Sequence, residues 1–178
     1  DVYAPRTAAA AGDTLTIGWI GTPGNFEHLG LILDPLRDVL ARNRRVRFKV
    51  VSREPFLAPA TVPTLFEPWE RAREVRAVQG FDIGIMPLMD TPFSRGKCGG
   101  KALVCMSCGV PVVASPVGAN SEIIQDGENG LLARTPGEWL EKLSALIEDA
   151  GLRARLGGEG RRTIERRYST AVNAPRLL

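Results

Sequence analysis

The chain has 178 residues, of which 44% are hydrophobic, and a formal net charge of +3 at pH 7. This length fits a single domain, and the hydrophobic fraction suffices for a substantial core, so wholesale disorder is excluded. The positive excess is too small to indicate nucleic-acid binding, because the late arginines alternate with glutamates as on a solvated helix face. No apolar run approaches the length of a membrane span, and no secretory signal opens the chain.

The three cysteines bear on compartment and metal binding. Their odd number argues against a disulfide framework and predicts a reducing compartment, which we take to be cytoplasmic. Cys105 and Cys108 form a CxxC pair, with Cys98 seven residues earlier. A metal site would lack a fourth ligand, since the only histidine, His28, is distant in sequence, and a redox CxxC opens a helix whereas this pair closes one. We interpret the pair as small, buried helix positions.

The first thirteen residues lack apolar periodicity. Residues 1–13 include Pro5 and four consecutive alanines, which predicts a linker or leader into a domain at 14–178. Because the sequence starts at Asp1 without a methionine, we expect a fragment or a processed product.

Short apolar runs alternate with helical patterns along the rest of the chain. Strands are expected at Leu15–Ile20, Val46–Ser52, Thr64–Phe66, Phe81–Leu88, Val112–Ser115 and Asn129–Leu132. An apolar stripe at helical spacing follows the first strand, and Pro35 is expected to kink or break that helix. This alternation predicts an α/β fold, an open and mostly parallel sheet covered by helices on both faces.

Capping and turn residues predict where several helices begin and end. Asn25 is expected to cap the first helix, and Ser121 a short helix at 121–125. A further helix is predicted to start at Glu67–Trp69, with proline in its first turn, and to end at Gly80. Two amphipathic helices should close the chain, with a break at Gly157–Gly158.

Three glycine-bearing loops follow predicted strands: Gly21–Asn25, Gly96–Lys101 and Gly118–Asn120. Ligands of open parallel sheets bind beyond the carboxyl ends of the strands, so the loops should share one rim. Glycine lets backbone N–H groups approach an anion, and a helix predicted at 102–108 adds positive partial charge at its N-terminus. Because Lys97 and Lys101 lie in the same loop, the pattern predicts a site for a phosphorylated ligand.

Other chemistries find little support in the motifs. The first loop is not GxGxxG, and the chain lacks the GK[ST] ending of a P-loop, which disfavours a dinucleotide-dependent oxidoreductase. His28 is interpreted as a surface or half-buried residue rather than a catalytic base. No Ser/His/Asp or Cys/His set accompanies it, so hydrolysis by a triad is not indicated.

A longer pattern resembles a known family. Its residues are Phe81–Leu88, Lys101–Met106, the block Cys108–Ala133 (CGVPVVASPVGANSEIIQDGENGLLA) and the closing Arg166–Ser169. These segments resemble the C-terminal, donor-binding domain of family-4, or group 1, GT-B glycosyltransferases. With the first strand included, the resemblance spans residues 14–170, and the spacing within Cys108–Ala133 is long and specific.

The resemblance implies the Rossmann-like C-terminal half of a two-domain enzyme. Such an enzyme binds a nucleotide-sugar donor, a UDP- or GDP-sugar, and transfers the sugar with retention at the anomeric carbon. The acceptor is held mostly by an N-terminal domain of the same protein, through which a peripheral membrane contact could also be made. No metal or cofactor is implied, because basic side chains and helix N-termini neutralise the leaving diphosphate.

The chain departs from the family pattern at positions implied to bind the donor. Many relatives carry two glutamates eight positions apart, the second of which binds the ribose, and those positions are Gly96 and Val104 here. A frequent family lysine is matched by Lys101. The arginine and lysine that the first loop often supplies fall near Thr22 and His28.

The donor site expected from these motifs lies on all three loops, and no catalytic residue is assigned. Its members are Gly21, Thr22, Pro23, Gly24, Asn25, Arg95, Lys97, Gly99, Gly100, Lys101, Val117, Gly118 and Ala119. We expect Lys97, Lys101 and local N–H groups to hold the diphosphate, and backbone or an unidentified side chain to bind the ribose.

Two other classes of protein remain as alternatives. The missing glutamates would fit a non-catalytic module that binds a nucleotide or sugar phosphate. A response-regulator-like domain is less favoured, because no acidic cluster follows the first strand.

Overall fold

The fold is described from a computed structural model, for residues 3–5 and 14–176 of the chain. The strands are β1 Leu15–Ile20, β2 Val46–Ser52, β3 Thr64–Pro68, β4 Ile83–Met86, β5 Val112–Ala114 and β6 Leu131–Leu132. Within the described residues they form one sheet in the order β3-β2-β1-β4-β5-β6, and the adjacent strands are parallel. The chain therefore reverses its direction of winding between β1 and β4, which is where open α/β sheets bind ligands.

Helices connect the strands and finish the chain. They are α1 Leu33–Arg42, α2 Glu74–Gln79, α3 Pro92–Arg95, α4 Gly100–Ser107, α5 Asn120–Ile123, α6 Pro136–Glu148, α7 Ala150–Thr163 and α8 Thr170–Asn173. A 3-10 helix, Pro23–Ile32, leads into α1, and a π-helical segment, Ile164–Tyr168, continues α7. Short 3-10 turns lie at Arg71–Arg73 and Ala174–Arg176.

The core consists of two apolar clusters, one on each face of the sheet. Along β1, Ile17 and Trp19 belong to the first cluster with residues of α1 and α6, whereas Ile20 belongs to the second with residues of α2 and α4. Alternate side chains of a strand point to opposite faces, so both faces are buried. The predicted α/β fold with helices on both faces is confirmed.

The prediction that a helix starts at Glu67–Trp69 is wrong. Glu67 and Pro68 are the last residues of β3, and Trp69 N donates to the Ser52 carbonyl oxygen over 2.8 Å. β3 is an edge strand, where a proline can lie without removing a hydrogen bond from the sheet. The helical turn begins only at Arg71, although α2 ends before Gly80 as expected.

Two further predictions about helices are wrong. Ser121 is not a cap, because α5 already begins at Asn120 with Ala119 as its N-cap. The break at Gly157–Gly158 is absent, since both residues lie within α7. A Cβ on Gly157 would be 2.2 Å from the Gly109 carbonyl oxygen, so this glycine permits close packing of α7 and does not end it.

The interruption expected at Pro35 occurs three residues earlier. The chain changes from a 3-10 helix to an α-helix between Ile32 and Leu33. Pro35 then lies in the first turn of α1, where its missing N–H leaves no helical hydrogen bond unmade.

Most of the predicted linker at 1–13 lies outside the described residues. Its described part, residues 3–5, lies against the domain. Tyr3 Oη donates to Glu74 Oε1 over 2.5 Å, and Arg161 Nη1 donates to the Tyr3 carbonyl oxygen over 2.6 Å. None of the helices in the described part of the chain has both the length and the hydropathy needed to cross a membrane.

Candidate functional site

Three loops meet at the carboxyl edge of the sheet, near the point where the chain reverses its direction of winding. One loop follows each of β1, β4 and β5. Lys97, after β4, donates from Nζ to Oδ1 of Asn25, after β1, over 2.6 Å. Gly118, after β5, lies so close to Arg95 that a Cβ on it would be 2.5 Å from the Arg95 carbonyl oxygen. Its φ of 55° is also one that favours glycine. The predicted convergence of the loops is therefore confirmed.

The prediction that Asn25 caps the first helix is wrong, and Asn25 contributes to the site through other contacts. The N-cap is Thr22, and Pro23 opens the 3-10 helix, so Asn25 lies within its first turn. Asn25 Nδ2 donates to Thr22 Oγ1 over 2.7 Å, while its amide oxygen accepts from Lys97. Gly24 is exposed, and no described atom lies within 4 Å of the place of its Cβ.

Lys101 lies in the first turn of α4, against the loop after β1. Its Nζ is 5.5 Å from the centroid of the Trp19 ring. Gly21 provides the room, because a Cβ there would be 2.6 Å from Lys101 Cε and 2.7 Å from the Trp19 ring. Burial, reinforced by the charge of Lys97, lowers the pKa of Lys101 to about 8. A bound anion would stabilise this ammonium group.

The N-terminus of α4 has the features of an anion site. Its N-cap, Gly99, has a φ of 71°, and no described side chain caps it. The first N–H groups of an α-helix have no partner within the helix and carry positive partial charge. Gly100 and Lys101 are the first two residues of α4. The terminus therefore presents N–H groups and a cationic side chain together, as phosphate sites do.

His28 is a buried residue that contacts Lys97. The residue is 3% exposed, so the expectation of a surface or half-buried residue is wrong. Burial, and then the charge of Lys97, lowers the pKa of His28 and keeps the imidazole neutral. Lys97 Nζ lies 2.8 Å from His28 Nε2, and Met89 N lies 3.4 Å from Nδ1. A neutral ring has one acceptor nitrogen, and the shorter contact to a cation assigns that role to Nε2.

Two cavities share Gly100 and Lys101 as lining residues. The first, of about 240 Å³, is here called the Trp69 cavity, and its other lining residues are Ile20, Gly21, Thr22, Arg53, Trp69, Glu74 and Val104. The second, of about 730 Å³, is called the Lys97 cavity and is further lined by Asn25, Met86, Pro92, Phe93, Gly96, Lys97, Cys98 and Gly99. A ligand held at Lys101 can extend into both.

Six of the thirteen predicted site residues line neither cavity: Pro23, Gly24, Arg95, Val117, Gly118 and Ala119. Arg95 forms an exposed ion pair with Asp90, with 2.6 Å between Nε and Oδ1. Val117 is buried in the second apolar cluster, and Ala119 caps α5. The loops thus converge, but the structure does not bring the Arg95 guanidinium into either cavity.

Cys105 and Cys108 have the packing role that was predicted for the CxxC pair. Cys105 and Cys108 are buried and Cys98 is exposed, and all three are free thiols. Burial raises the pKa of Cys105 to about 12 and that of Cys108 to about 11. Within the described residues, no group of three histidine, cysteine or acidic side chains is placed to hold a metal ion.

Comparison with protein families decides the relationship of this chain. The family model described as glycosyl transferases group 1 matches residues 14–149, well over half of the chain. The chain belongs to the group 1 glycosyl transferases.

A sequence relative of this group 1 glycosyl transferase is the D-inositol 3-phosphate glycosyltransferase of Xylanimonas cellulosilytica. The two are 35% identical over 113 residues, which is 62% of this chain and 26% of the relative. A second protein of that name, from Paenarthrobacter aurescens, is 36% identical over 78 residues, or 43% of this chain and 18% of the relative. The chain therefore matches about a quarter of the length of the first of these curated relatives and less than a fifth of the second.

Solved structures show the same fold at low sequence identity. The C-terminal domain of the group 1 family protein LpcC from Francisella tularensis has a TM-score of 0.74 at 18% identity, over 94% of this chain and 96% of that chain. The Anabaena protein HepE, solved in complex with UDP, has a TM-score of 0.77 at 15% identity, over 99% and 53% respectively. The predicted Rossmann-like, C-terminal GT-B domain is confirmed as the fold of this group 1 glycosyl transferase.

The motifs did not identify the far wall of the Trp69 cavity in this group 1 glycosyl transferase. Arg53 follows β2, Trp69 follows β3, and Glu74 begins α2. Arg53 Cζ lies 5.5 Å from the centroid of the Trp69 ring. These residues belong to no glycine-rich pattern. Only their position along the chain could have indicated them, because the ends of β2 and β3 lie at the same carboxyl edge of the sheet as the three loops.

Proposed function

We propose that this chain is the donor-binding domain of a glycosyltransferase, which binds a nucleotide-diphosphate sugar. The observation that carries the proposal is the uncapped N-terminus of α4 with Lys101 in its first turn and Lys97 beside it. This arrangement lies near the point where the chain reverses its direction of winding between β1 and β4, which is the usual ligand position in such folds. The family match supports transfer of the sugar as the reaction.

In this proposal the cations and N–H groups stabilise the leaving diphosphate. Negative charge develops on the nucleoside diphosphate as its bond to the sugar breaks, and preorganised positive groups lower the energy of that state. Lys97 is preorganised because Asn25 and neutral His28 both accept hydrogen bonds from it. Neither a metal ion nor a further cofactor is part of this proposal, and the nucleotide sugar is the substrate.

The ligands of the structural neighbours indicate which nucleotide and which sugar to test first. HepE has been solved with UDP and with UDP-glucose, so a UDP-sugar is the first donor to test and a GDP-sugar the second. Retention at the anomeric carbon belongs to the same proposal.

The acceptor is proposed to bind mainly to an N-terminal domain of the full-length protein. The longer relatives support this part, since the chain corresponds to 26% of one curated relative and 53% of the HepE chain. That half is also where we propose that any peripheral membrane contact would be made. The cytoplasmic location stays a prediction.

The alternative is a module that binds nucleotide sugars without turnover. Gly96 and Val104, which stand in place of two family glutamates, favour it. Incubation of the full-length protein with a radiolabelled UDP-sugar separates the two functions. Saturable binding without sugar transfer or donor hydrolysis would support the alternative.

Replacing Lys101 tests the anion site directly. We expect Lys101→Ala to weaken UDP-glucose binding by roughly tenfold to a hundredfold, because charge-assisted hydrogen bonds contribute about 1.5–3 kcal/mol. Binding of uridine, which has no phosphate, should hardly change. Isothermal titration calorimetry of both ligands measures the difference.

Lys142→Ala is the matched control, because Lys142 pairs with Asp126 and lines neither cavity. It should leave UDP-glucose binding unchanged. Equal losses for UDP-glucose and uridine in Lys101→Ala would contradict the assigned role. No saturable binding of UDP- or GDP-sugars to the folded wild-type chain would contradict the proposed function itself.

A further inference from the structure

The two cavities beside Lys101 differ in size and chemistry, and this difference can orient a donor. The Trp69 cavity, of about 240 Å³, has apolar walls from Ile20 and Val104, an indole, the cations of Arg53 and Lys101, and the one carboxylate found in either lining, that of Glu74. The Lys97 cavity, of about 730 Å³, is larger and is lined by two cations, Lys97 and Lys101, and by Phe93, which is 79% exposed. A diphosphate on the wall that both share would direct the two ends of a nucleotide sugar into different surroundings.

The nucleoside end fits the Trp69 cavity better. Ligand pockets that take a whole drug-sized molecule usually measure about 300–1,000 Å³, so a cavity of about 240 Å³ suits only part of a nucleotide sugar. An aromatic ring and aliphatic side chains favour a planar base. The sugar end must remain accessible to an acceptor, which the larger and more exposed Lys97 cavity allows.

Glu74 is held firmly at the Trp69 cavity. Its Oε2 accepts from Trp69 Nε1 over 2.7 Å, and its Oε1 accepts from Tyr3 Oη over 2.5 Å. The hydrogen bond with Glu74, more than the accompanying burial, raises the pKa of Tyr3 to about 12, so the phenol remains a donor. Two donors from different segments thus fix both carboxylate oxygens.

The carboxylate of Glu74 retains capacity for a ligand. An ionised carboxylate has about four acceptor positions on its two oxygens, and Tyr3 and Trp69 occupy one on each. A carboxylate repels phosphate and accepts from hydroxyl groups. Within this cavity the carboxylate therefore favours the hydroxyl-bearing part of a nucleotide, whereas the cations Arg53 and Lys101 attract the phosphates.

We infer that Glu74 binds the ribose hydroxyl groups of the donor, in place of the carboxylate that Val104 does not supply. Both residues line the Trp69 cavity, Val104 from α4 and Glu74 from α2. The inference rests on the proposed function and extends it to specificity. It makes the chain selective for ribonucleotides and gives the donor a direction, with the base and ribose in the Trp69 cavity and the sugar in the Lys97 cavity.

Deoxynucleotides test this inference on the unmodified chain. We expect UDP to bind roughly tenfold to a hundredfold more tightly than 2′-deoxy-UDP or 3′-deoxy-UDP, because a hydrogen bond to a charged group is lost. Calorimetric titration with all three ligands measures the ratio. Equal affinities for UDP and both analogues would overturn the inference, whatever happens to the variants.

Glu74→Gln shows whether the selectivity comes from this side chain. We expect the variant to lose most of the preference for UDP over its deoxy analogues while binding inorganic pyrophosphate as the wild type does. Glu70→Gln is the matched control, because Glu70 is nearby, half exposed and paired with Arg73, and does not line the cavity. It should keep the full preference.

Pyrophosphate separates this inference from the proposed function. If the wild-type chain binds neither pyrophosphate nor UDP, the proposed function is overturned and the role of Glu74 with it. If it binds both, but Glu74→Gln keeps the wild-type preference for UDP, only the role of Glu74 is overturned. Circular dichroism establishes that each variant is folded, and the comparison of deoxynucleotides does not depend on any variant.

Discussion

At the scale of single residues, the candidate site holds the ammonium groups of Lys97 and Lys101 close together, which is unfavourable because like charges repel. Lys101 is largely buried over Trp19, and its charge is near that of Lys97. Lys97 in turn is held by Asn25 and by a histidine that burial keeps neutral. The fold keeps these ammonium groups close without a ligand. An anion that binds between them is therefore stabilised without a further rearrangement of the protein.

The pKa of Lys101 should make the proposed donor binding depend on pH. In the free chain it lies at about 8, lowered by burial and Lys97 and raised in part by Cys98 and Cys105. A bound diphosphate favours the charged form and raises this pKa, so binding takes up a proton when the pH is near or above 8. The affinity for UDP-glucose should therefore fall as pH rises from 7 to 9, by at most about tenfold per pH unit.

Calorimetry in buffers of different ionisation enthalpy measures both the affinity and the proton uptake. The pKa of His28 is lowered from its ordinary value, which moves that group away from this pH window. The Lys101→Ala variant should show a flatter pH profile. Affinity that stays constant for the wild type between pH 7 and 9, without proton uptake, would contradict the placement of the diphosphate at Lys101.

At the scale of elements, the site depends on loops that pack on one another. The loop after β5 lies against the backbone of the loop after β4 through Gly118 and Arg95. The loop after β4 is joined to the loop after β1 by Lys97 and Asn25. A change that separates two of these loops should therefore affect stability and the binding site together.

Gly118→Ala tests this packing. The substitution places a Cβ 2.5 Å from a backbone oxygen and leaves alanine at a φ of 55°. We expect the free energy of unfolding to fall by roughly 2–4 kcal/mol, since strain and overpacking each cost about 1–3 kcal/mol. Urea denaturation followed by circular dichroism gives the value.

Gly30→Ala is the control for that experiment, because no described atom lies within 4 Å of the place of its Cβ and its φ is not positive. Its free energy of unfolding should stay within about 0.5 kcal/mol of the wild type. If Gly118→Ala were equally mild, the loops would not depend on this close contact.

The elements also show which features the sequence could predict. β1 and β2 have the predicted bounds, because continuous apolar runs buried on both faces give a clear signal. Pro68 and Gly157 were misassigned since their roles depend on a distant partner, the edge of β2 for one and Gly109 for the other. Local helix and turn rules do not contain that information.

The same limit applies to the candidate site. The three glycine-bearing loops could be predicted, because strand ends of a parallel sheet share one edge. Arg95 was expected in the site, but a local ion pair with Asp90 holds its side chain at the surface. Glu74 was missed, since only the packing of residues 3–5 and of Trp69 against α2 fixes its carboxylate at the cavity.

At the scale of the whole molecule, the described part of this group 1 glycosyl transferase has an α/β fold, and the proposed ligand site lies on the carboxyl edge of its sheet. The central claim is that the diphosphate of a nucleotide sugar lies at the N-terminus of α4. From there the nucleoside would enter the Trp69 cavity, and the sugar would face the Lys97 cavity and the acceptor. Binding alone does not establish this orientation.

A crystal structure of the chain with UDP-glucose measures the orientation most directly. The expected result places diphosphate oxygens within about 3 Å of Lys101 Nζ and of the first N–H groups of α4, the usual hydrogen-bond distance. It also places ribose hydroxyls beside Glu74 and the glucosyl ring toward Lys97. A nucleotide bound elsewhere on the domain, or reversed with its base in the Lys97 cavity, would contradict the account.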